Sequence, residues 1–337
     1  MGRYEKILGG LLGAAVGDAM GAPTETRSTS QIKEKFGGLV TTFLTPPDDV
    51  FARGFPAGSV TDDFSLAYYT AEAIIEDKGN VDEKTANSAL IKWSESPFFK
   101  LAGPTTCTAI CKAKGIPSPY ENSRFTITYD NAKASNGSAM KISPVGLLSG
   151  GDIDKAIKDA ITICLPTHFN SISLSAACAV SAAVAAAMHE DATIDSIISA
   201  ALKGALEGET YGIANNRELS CPSVYKRIVL AKEIAQQCNG DMGRAMQELK
   251  DIIGSGLAAA EAVPTAFGLF VAANGDADKA IIAGVNIGND TDTVATIAGA
   301  IAGTYSSYYR EDFLKTINEV NNYNLEELAG KIDGILK

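Results

Sequence analysis

Apolar residues recur along this chain at the three-and-four spacing of a buried helical face. The spacing predicts helices over Glu5–Met20, Leu66–Glu76, Lys84–Glu95, Ile153–Cys164, Leu174–His189, Ile194–Leu206, Val224–Gln237, Met242–Ile252, Val263–Ala273, Ala277–Gly284, Thr293–Tyr305 and Glu311–Glu319. Most of these stretches close on Gly, Asn or Pro, which stop helices. Strand patterns are short and few, with Val40–Leu44 and Phe125–Tyr129 the best candidates. The predicted class is all-α. Two polar segments, 45–60 and 114–138, carry the Gly, Pro, Asn and Ser density of loops long enough to be functional. No repeat, linker or composition shift divides the chain, so residues 1–337 are expected to form one domain.

Composition changes this picture mainly by exclusion. A hydrophobic content of 46% against 20% charged residues supplies ample core and excludes a disordered or fibrous chain. Lys and Arg number 29 against 40 Asp and Glu, a formal charge of -11 with no basic cluster, so no nucleic-acid partner is expected. The six cysteines show no CxxC spacing and no His nearby to complete a zinc set, and read as small buried hydrophobes of a reducing, cytoplasmic compartment. The start, MGRYEKILGGLLGAAVGDAM, resembles a signal peptide only loosely, because it is Gly-rich and carries Glu5 and Asp18; an amphipathic first helix is expected instead. Ile172–Met188 is apolar but built of Ala and Ser, which predicts a buried helix packed through small residues and no membrane span. The sequence is silent on oligomeric state.

Two acidic clusters each precede an apolar helical run. One is Thr61, Asp62 and Asp63; the other is Asp290, Thr291, Asp292 and Thr293. Thr and Asp are favoured helix caps, and carboxylates suit the positive end of a helix dipole. One helix start needs one cap, however, and crowded carboxylates cost stability unless a cation joins them. The four Asp side chains with the Thr61 and Thr293 hydroxyls form a set of hard oxygen donors suited to Mg²⁺ or Mn²⁺. Two divalent ions would neutralise four carboxylates, and paired ions are a known catalytic device.

The segments GGLLGAAVGDAMGAPTE, VTDDFSLAYYTAEAI, SNGSAMKISPVGLL, PTHFNS and VNIGNDTDTVATIAGAIAGT, taken in this order, resemble the ADP-ribosylglycohydrolase family over most of the chain. The resemblance implies a compact all-α bundle with two divalent cations, magnesium or manganese, at its centre. It implies metal ligands at Thr61, Asp62, Asp63, Asp290, Asp292 and Thr293, and a catalytic carboxylate at Glu25 beside the scissile bond. It places Asn136, Gly137 and Ser138 in a loop around the distal ribose, His168 on the substrate side and Gly103 in a loop lining the phosphate side of the cleft. Phe64 stands where the family usually has Thr or Ser, which predicts a bulky apolar group in the substrate pocket. Lys141 stands where Arg is commoner, which keeps the charge and loses the bidentate geometry.

The expected activity is hydrolysis of a ribosyl glycosidic bond, removing ADP-ribose from a modified side chain or small molecule. Phe64 motivates an alternative, a hydrolase of nucleosides or other small N-ribosyl compounds, because an aromatic ring could narrow the site or stack on a base. A third reading is a non-catalytic structural member, since the family fold also occurs in lens crystallins.

Overall fold

The computed structural model describes residues 2–120, 133–216 and 218–337. Among them it contains α1 (Arg3–Gly21), α2 (Thr29–Phe36), α3 (Asp62–Glu76), α4 (Glu83–Trp93), α5 (Pro104–Ala113), α6 (Ser143–Leu148), α7 (Ile153–Cys164) and α8 (Ser171–Ala187). These are followed by α9 (Ile194–Asn215), α10 (Val224–Gln237), α11 (Met242–Ile252), α12 (Ala259–Ala272), α13 (Ala277–Asn286), α14 (Thr291–Ser306), α15 (Glu311–Asn321) and α16 (Leu325–Ile335). The all-α prediction holds, and a single cluster of buried apolar side chains runs from α1 to α16. No helix among the described residues is long and apolar enough to cross a membrane.

Glycine spacing sets the central packing. Gly9, Gly13, Gly17 and Gly21 recur every four residues and form one stripe of α1, against which α14 lies along most of its length. A Cβ at Gly13 would sit 2.2 Å from the Gly299 carbonyl oxygen, and one at Gly21 would sit 2.4 Å from the Asp292 Cα. The two backbones are therefore in contact, and any side chain on the stripe would force them apart. This contact carries the start of α14, with Asp290 and Asp292, to the end of α1.

The Ala- and Ser-rich segment is a buried helix: every residue of α8 is buried, and α9 approaches it closely enough that a Cβ at Gly204 would lie 2.3 Å from the Cys178 carbonyl. Lys6 is buried beside it and donates its Nζ to the Ala187 carbonyl at 2.8 Å, placing a cation at the negative end of that helix.

The helices Ile153–Cys164, Val224–Gln237 and Met242–Ile252 have the predicted bounds; the others shift at one or both ends. The spacing missed α2, α5, α6 and α16. Val40–Leu44 is not a strand, because the Asn286 side chain satisfies the Val40 backbone, accepting from its N–H and donating to its carbonyl, each at 2.8 Å. The Phe125–Tyr129 candidate lies outside the described residues.

Candidate active site

Two acid-bearing segments meet through backbone pairing. The Thr26 N–H donates to the Asn289 carbonyl and the Asn289 N–H to the Arg27 carbonyl, each at 2.8 Å, and Ser28 bridges Gly288. Gly288 has φ of +97°, and a Cβ there would lie 2.8 Å from the Arg27 carbonyl, so only glycine fits this crossing. Thr24 Oγ1 lies 2.7 Å from the Val285 carbonyl and 2.9 Å from Thr291 Oγ1, which fixes the residue before Glu25 to the start of α14. The Arg27 guanidinium donates to the Pro23 and Glu25 carbonyls and pairs with Asp49. Glu25 thus projects from a braced turn. A carboxylate oxygen of each of Glu25, Asp290 and Asp292 falls within 4.8 Å of the other two.

The third contributor, the start of α3, shows why its carboxylates are free of capping duty. Elsewhere one acceptor suffices: Asp82, Asp152, Asn170, Asp241 and Asp276 each cap a helix with a single side chain. In α3 the Thr61 hydroxyl accepts from the Asp63 N–H at 3.2 Å. Asp18, from α1, accepts from the Thr61 and Phe64 N–H groups on Oδ2, both at 2.9 Å, and from the Thr61 hydroxyl on Oδ1 at 2.8 Å. The Asp62 and Asp63 carboxylates are spare, and Asp63 Oδ2 is buried with no hydrogen-bond partner among the described residues. At α14, Asp290 occupies the N-cap position without a side-chain capping bond.

The spare carboxylates line one cavity of about 530 Å³. Its wall includes Glu25, Thr61, Asp62, Asp63, Asp290, Asp292 and Thr293, together with Gly103, Asn136, Gly137 and His168. Eleven of the expected site residues are therefore brought together, and two are not. Phe64 is fully buried with its ring edge-on to Tyr323, at 6.2 Å between centroids, because its position on α3 faces the core instead of the cavity. Ser138 is also fully buried, and its hydroxyl donates to the Ser173 carbonyl at 2.8 Å, on the α8 side. Lys141 is buried too, with Nζ donating to Thr167 Oγ1 at 3.0 Å; burial pulls its affinity for a proton down.

The Asn136–Ser138 turn is held by an antiparallel bridge of Ser135 with Ala258, and Asn136 donates its side-chain amide to Asp290. A Cβ at Gly137 would lie 3.0 Å from His168 Nε2, so glycine leaves the imidazole its place. His168 Nε2 lies 3.1 Å from Ser135 Oγ, and burial, then the Lys141 charge, push the ring's pKa down to about 3, so the imidazole is neutral. Gly103 caps α5 in open space, with no steric demand for glycine.

The electrostatics are those of anions lacking a counter-charge. Burial raises the affinity of Asp18, Glu25, Asp62, Asp63 and Asp290 for protons, and the Asp292 charge raises each further. Asp292 is raised by burial as well. Glu25 is pushed up to about 10 and Asp62 to about 7. No Lys or Arg lines the cavity among the described residues. Oxygen-only donors, an unpartnered buried carboxylate oxygen and this uncompensated charge are the chemistry of a hard divalent-cation site.

Sequence reasoning missed Asp18 as a site residue; its signal is a carboxylate that follows the apolar run Ile7–Gly17 within one helix. It also missed the apolar rim, Phe51, Leu101, Met140 and Leu257, for which the sequence holds no pattern.

A family model described as ADP-ribosylglycohydrolase matches residues 1–334. The chain is 30% identical over 307 residues to YegU of Escherichia coli (strain K12), itself uncharacterized, covering 89% of this chain and 87% of that protein. It is 25% identical over 330 residues to ADP-ribosylhydrolase ARH3 of Homo sapiens, covering 89% and 85%. A solved structure titled ADP-ribosylglycohydrolase-related protein complex superposes with a TM-score of 0.68 at 21% identity, covering 99% of both chains, and shares the fold. With its helices, its acid-lined cavity and a match along nearly its whole length, this chain belongs to the ADP-ribosylglycohydrolase family and to the glycosyl hydrolases that family contains.

Proposed function

We propose that the chain, acting over residues 1–337 as one catalytic unit, hydrolyses a ribosyl glycosidic bond and releases ADP-ribose from a modified side chain or ADP-ribosylated small molecule. One observation carries this reading. Glu25 and the two acidic helix starts, far apart in sequence, line a single cavity, with carboxylate oxygens of Glu25, Asp290 and Asp292 within 4.8 Å of one another.

Thr61, Asp62 and Asp63 from α3, with Asp290, Asp292 and Thr293 from α14, are the residues that would hold two divalent ions, Mg²⁺ or Mn²⁺. Such ions, when bound, supply positive charge beside the ribose hydroxyls and lower the cost of ionising water. The chain's own groups do the rest. Asn136 and the Gly137 backbone, which line the same cavity as Glu25, would orient the sugar, and the start of α5 at Gly103 lines the wall for the rest of the ligand. His168, kept neutral, offers a hydrogen bond without adding charge. Glu25 moves the proton: water adds to the anomeric carbon, the glycosidic bond breaks, and the carboxyl takes one proton from the water and gives one to the leaving group, ending as it began. The aspartates are engaged as ligands, so this scheme differs from hydrolysis by a free carboxylate pair.

The nucleoside reading rested on Phe64, and that side chain is buried against Tyr323 away from the cavity, which removes its support. The structural, non-catalytic reading is opposed by carboxylates that cap nothing and remain buried. The test is a panel of ADP-ribosyl-arginine, ADP-ribosyl-serine and simple nucleosides, assayed with Mg²⁺ or Mn²⁺ and with EDTA. Metal-dependent release of ADP-ribose is expected. Turnover of nucleosides alone would reject the ADP-ribosyl substrate, and no turnover together with no metal uptake would favour the structural reading.

A further inference from the structure

We infer that Asp18 is a positioning residue that sets the polarity of the Thr61 hydroxyl, turning its remaining lone pair toward the cavity so that this oxygen can take a divalent cation. The inference rests on the metal assignment proposed above and adds a residue outside that ligand set.

The argument is a count of hydrogen-bonding capacity. A threonine hydroxyl has one proton to give and two lone pairs. Thr61 Oγ1 gives its proton to Asp18 Oδ1 at 2.8 Å and spends one lone pair on the Asp63 N–H at 3.2 Å. One lone pair remains, on a residue that lines the cavity together with Asp62, Asp63 and Asp292. Were the proton free to turn inward, a partial positive charge would face the cation, and the oxygen would repel it. Asp18 is well placed to prevent this. It is fully buried, and its other oxygen is held by the Thr61 and Phe64 N–H groups, both at 2.9 Å, so the carboxylate cannot rotate away. Those two bonds also close the start of α3 from a different helix and spare Asp62 and Asp63 from capping. A capping role by itself needs only Oδ2; the bond from Oδ1 to the hydroxyl is the part that capping does not explain.

Asp18→Asn separates the two roles. The amide oxygen still accepts from both backbone N–H groups, while the amide nitrogen donates into Thr61 Oγ1, occupies its lone pair and leaves the hydroxyl proton facing the cavity. Mn²⁺ would be titrated calorimetrically into EDTA-stripped wild type, Asp18→Asn, Thr61→Val and the double variant, with thermal melts of the metal-free proteins alongside. The expected result is affinity lower by about 10-fold or more in Asp18→Asn, a comparable loss in Thr61→Val, and no further loss in the double variant, since both act through one oxygen. Thr61→Ser, which keeps the hydroxyl, should bind as wild type. Should Asp18→Asn fail to fold, Thr61→Val against Thr61→Ser carries the test: loss of Mn²⁺ affinity in the first and its retention in the second are still required, and equal affinities would overturn the inference. Wild-type affinity in Asp18→Asn, or losses that add in the double variant, would overturn the inference. Thr61→Val binding as wild type while Asp292→Asn does not would overturn it and leave the metal site standing. No Mn²⁺ uptake by wild type would remove both.

Discussion

Asp292 is the charge on which the cluster turns. Its carboxylate raises the proton affinity of Asp18, Glu25, Asp62, Asp63 and Asp290, and only a cation or a shared proton relieves that repulsion. Asp292→Asn should therefore have opposite effects on activity and on stability. Turnover should fall by about 10²- to 10³-fold, the scale of losing one preorganised electrostatic group. The metal-free protein should gain about 1 kcal/mol, as when a strained functional charge is removed. Initial rates and urea unfolding in EDTA measure the two. An active Asp292→Asn, or one destabilised in EDTA, contradicts the account. At this scale the acidic clusters were legible because they exceed what capping needs. Asp18 was not, because a carboxylate after an apolar run of α1 shows its purpose only when α3 is seen to start on it. Phe64 misled for a related reason: it follows Asp63 in sequence, but a helix turns each successive side chain by about 100°, which carries this one into the core.

Among the elements, α1 and α14 decide where the chemistry sits. The glycine stripe lets their backbones touch, and that contact sets the spacing of Asp18 on α1 from Asp292 on α14. Gly13→Ala should gain up to about 1 kcal/mol of helix propensity, yet a Cβ there would lie 2.2 Å from the Gly299 carbonyl. Overpacking of about 1–3 kcal/mol or more should win. Denaturant unfolding should show net destabilisation, with Mn²⁺ affinity reduced as the helices part; unchanged stability and affinity would mean that the close approach is unimportant. The helices with a broad apolar face were readable from spacing, as the coincident bounds of α7, α10 and α11 show. Of the missed helices, α2 buries only Ile32 and gives the pattern little to register, whereas α16 buries Leu325, Leu328, Ala329 and Ile332 at helical spacing and was legible in the sequence. Val40–Leu44 has the composition of a strand but finds its partner in the Asn286 side chain, a contact that no local pattern encodes.

For the molecule as a whole, the buried acid cluster ties stability to pH and to metal. Each of these carboxyls binds its proton more tightly in the folded chain than in the unfolded one, where values near 4 apply. The contribution to stability is therefore fully present below that value and is lost as pH rises through the folded values, about 7 for Asp62 and about 10 for Glu25. In EDTA the melting temperature should fall steadily from about pH 5 to pH 10. Saturating Mg²⁺ or Mn²⁺ should flatten that decline by replacing the protons, and Asp292→Asn should lessen it. A melting temperature independent of pH in EDTA would show that the cluster is not electrostatically strained.

The most direct measurement is turnover of an ADP-ribosylated substrate by EDTA-stripped protein as Mn²⁺ is added back in stoichiometric steps. The account predicts no release of ADP-ribose without metal and recovery that saturates near two equivalents per chain, with Asp292→Asn slower by about 10²- to 10³-fold at every step. Full turnover by the stripped protein, indifferent to added Mn²⁺, would contradict it.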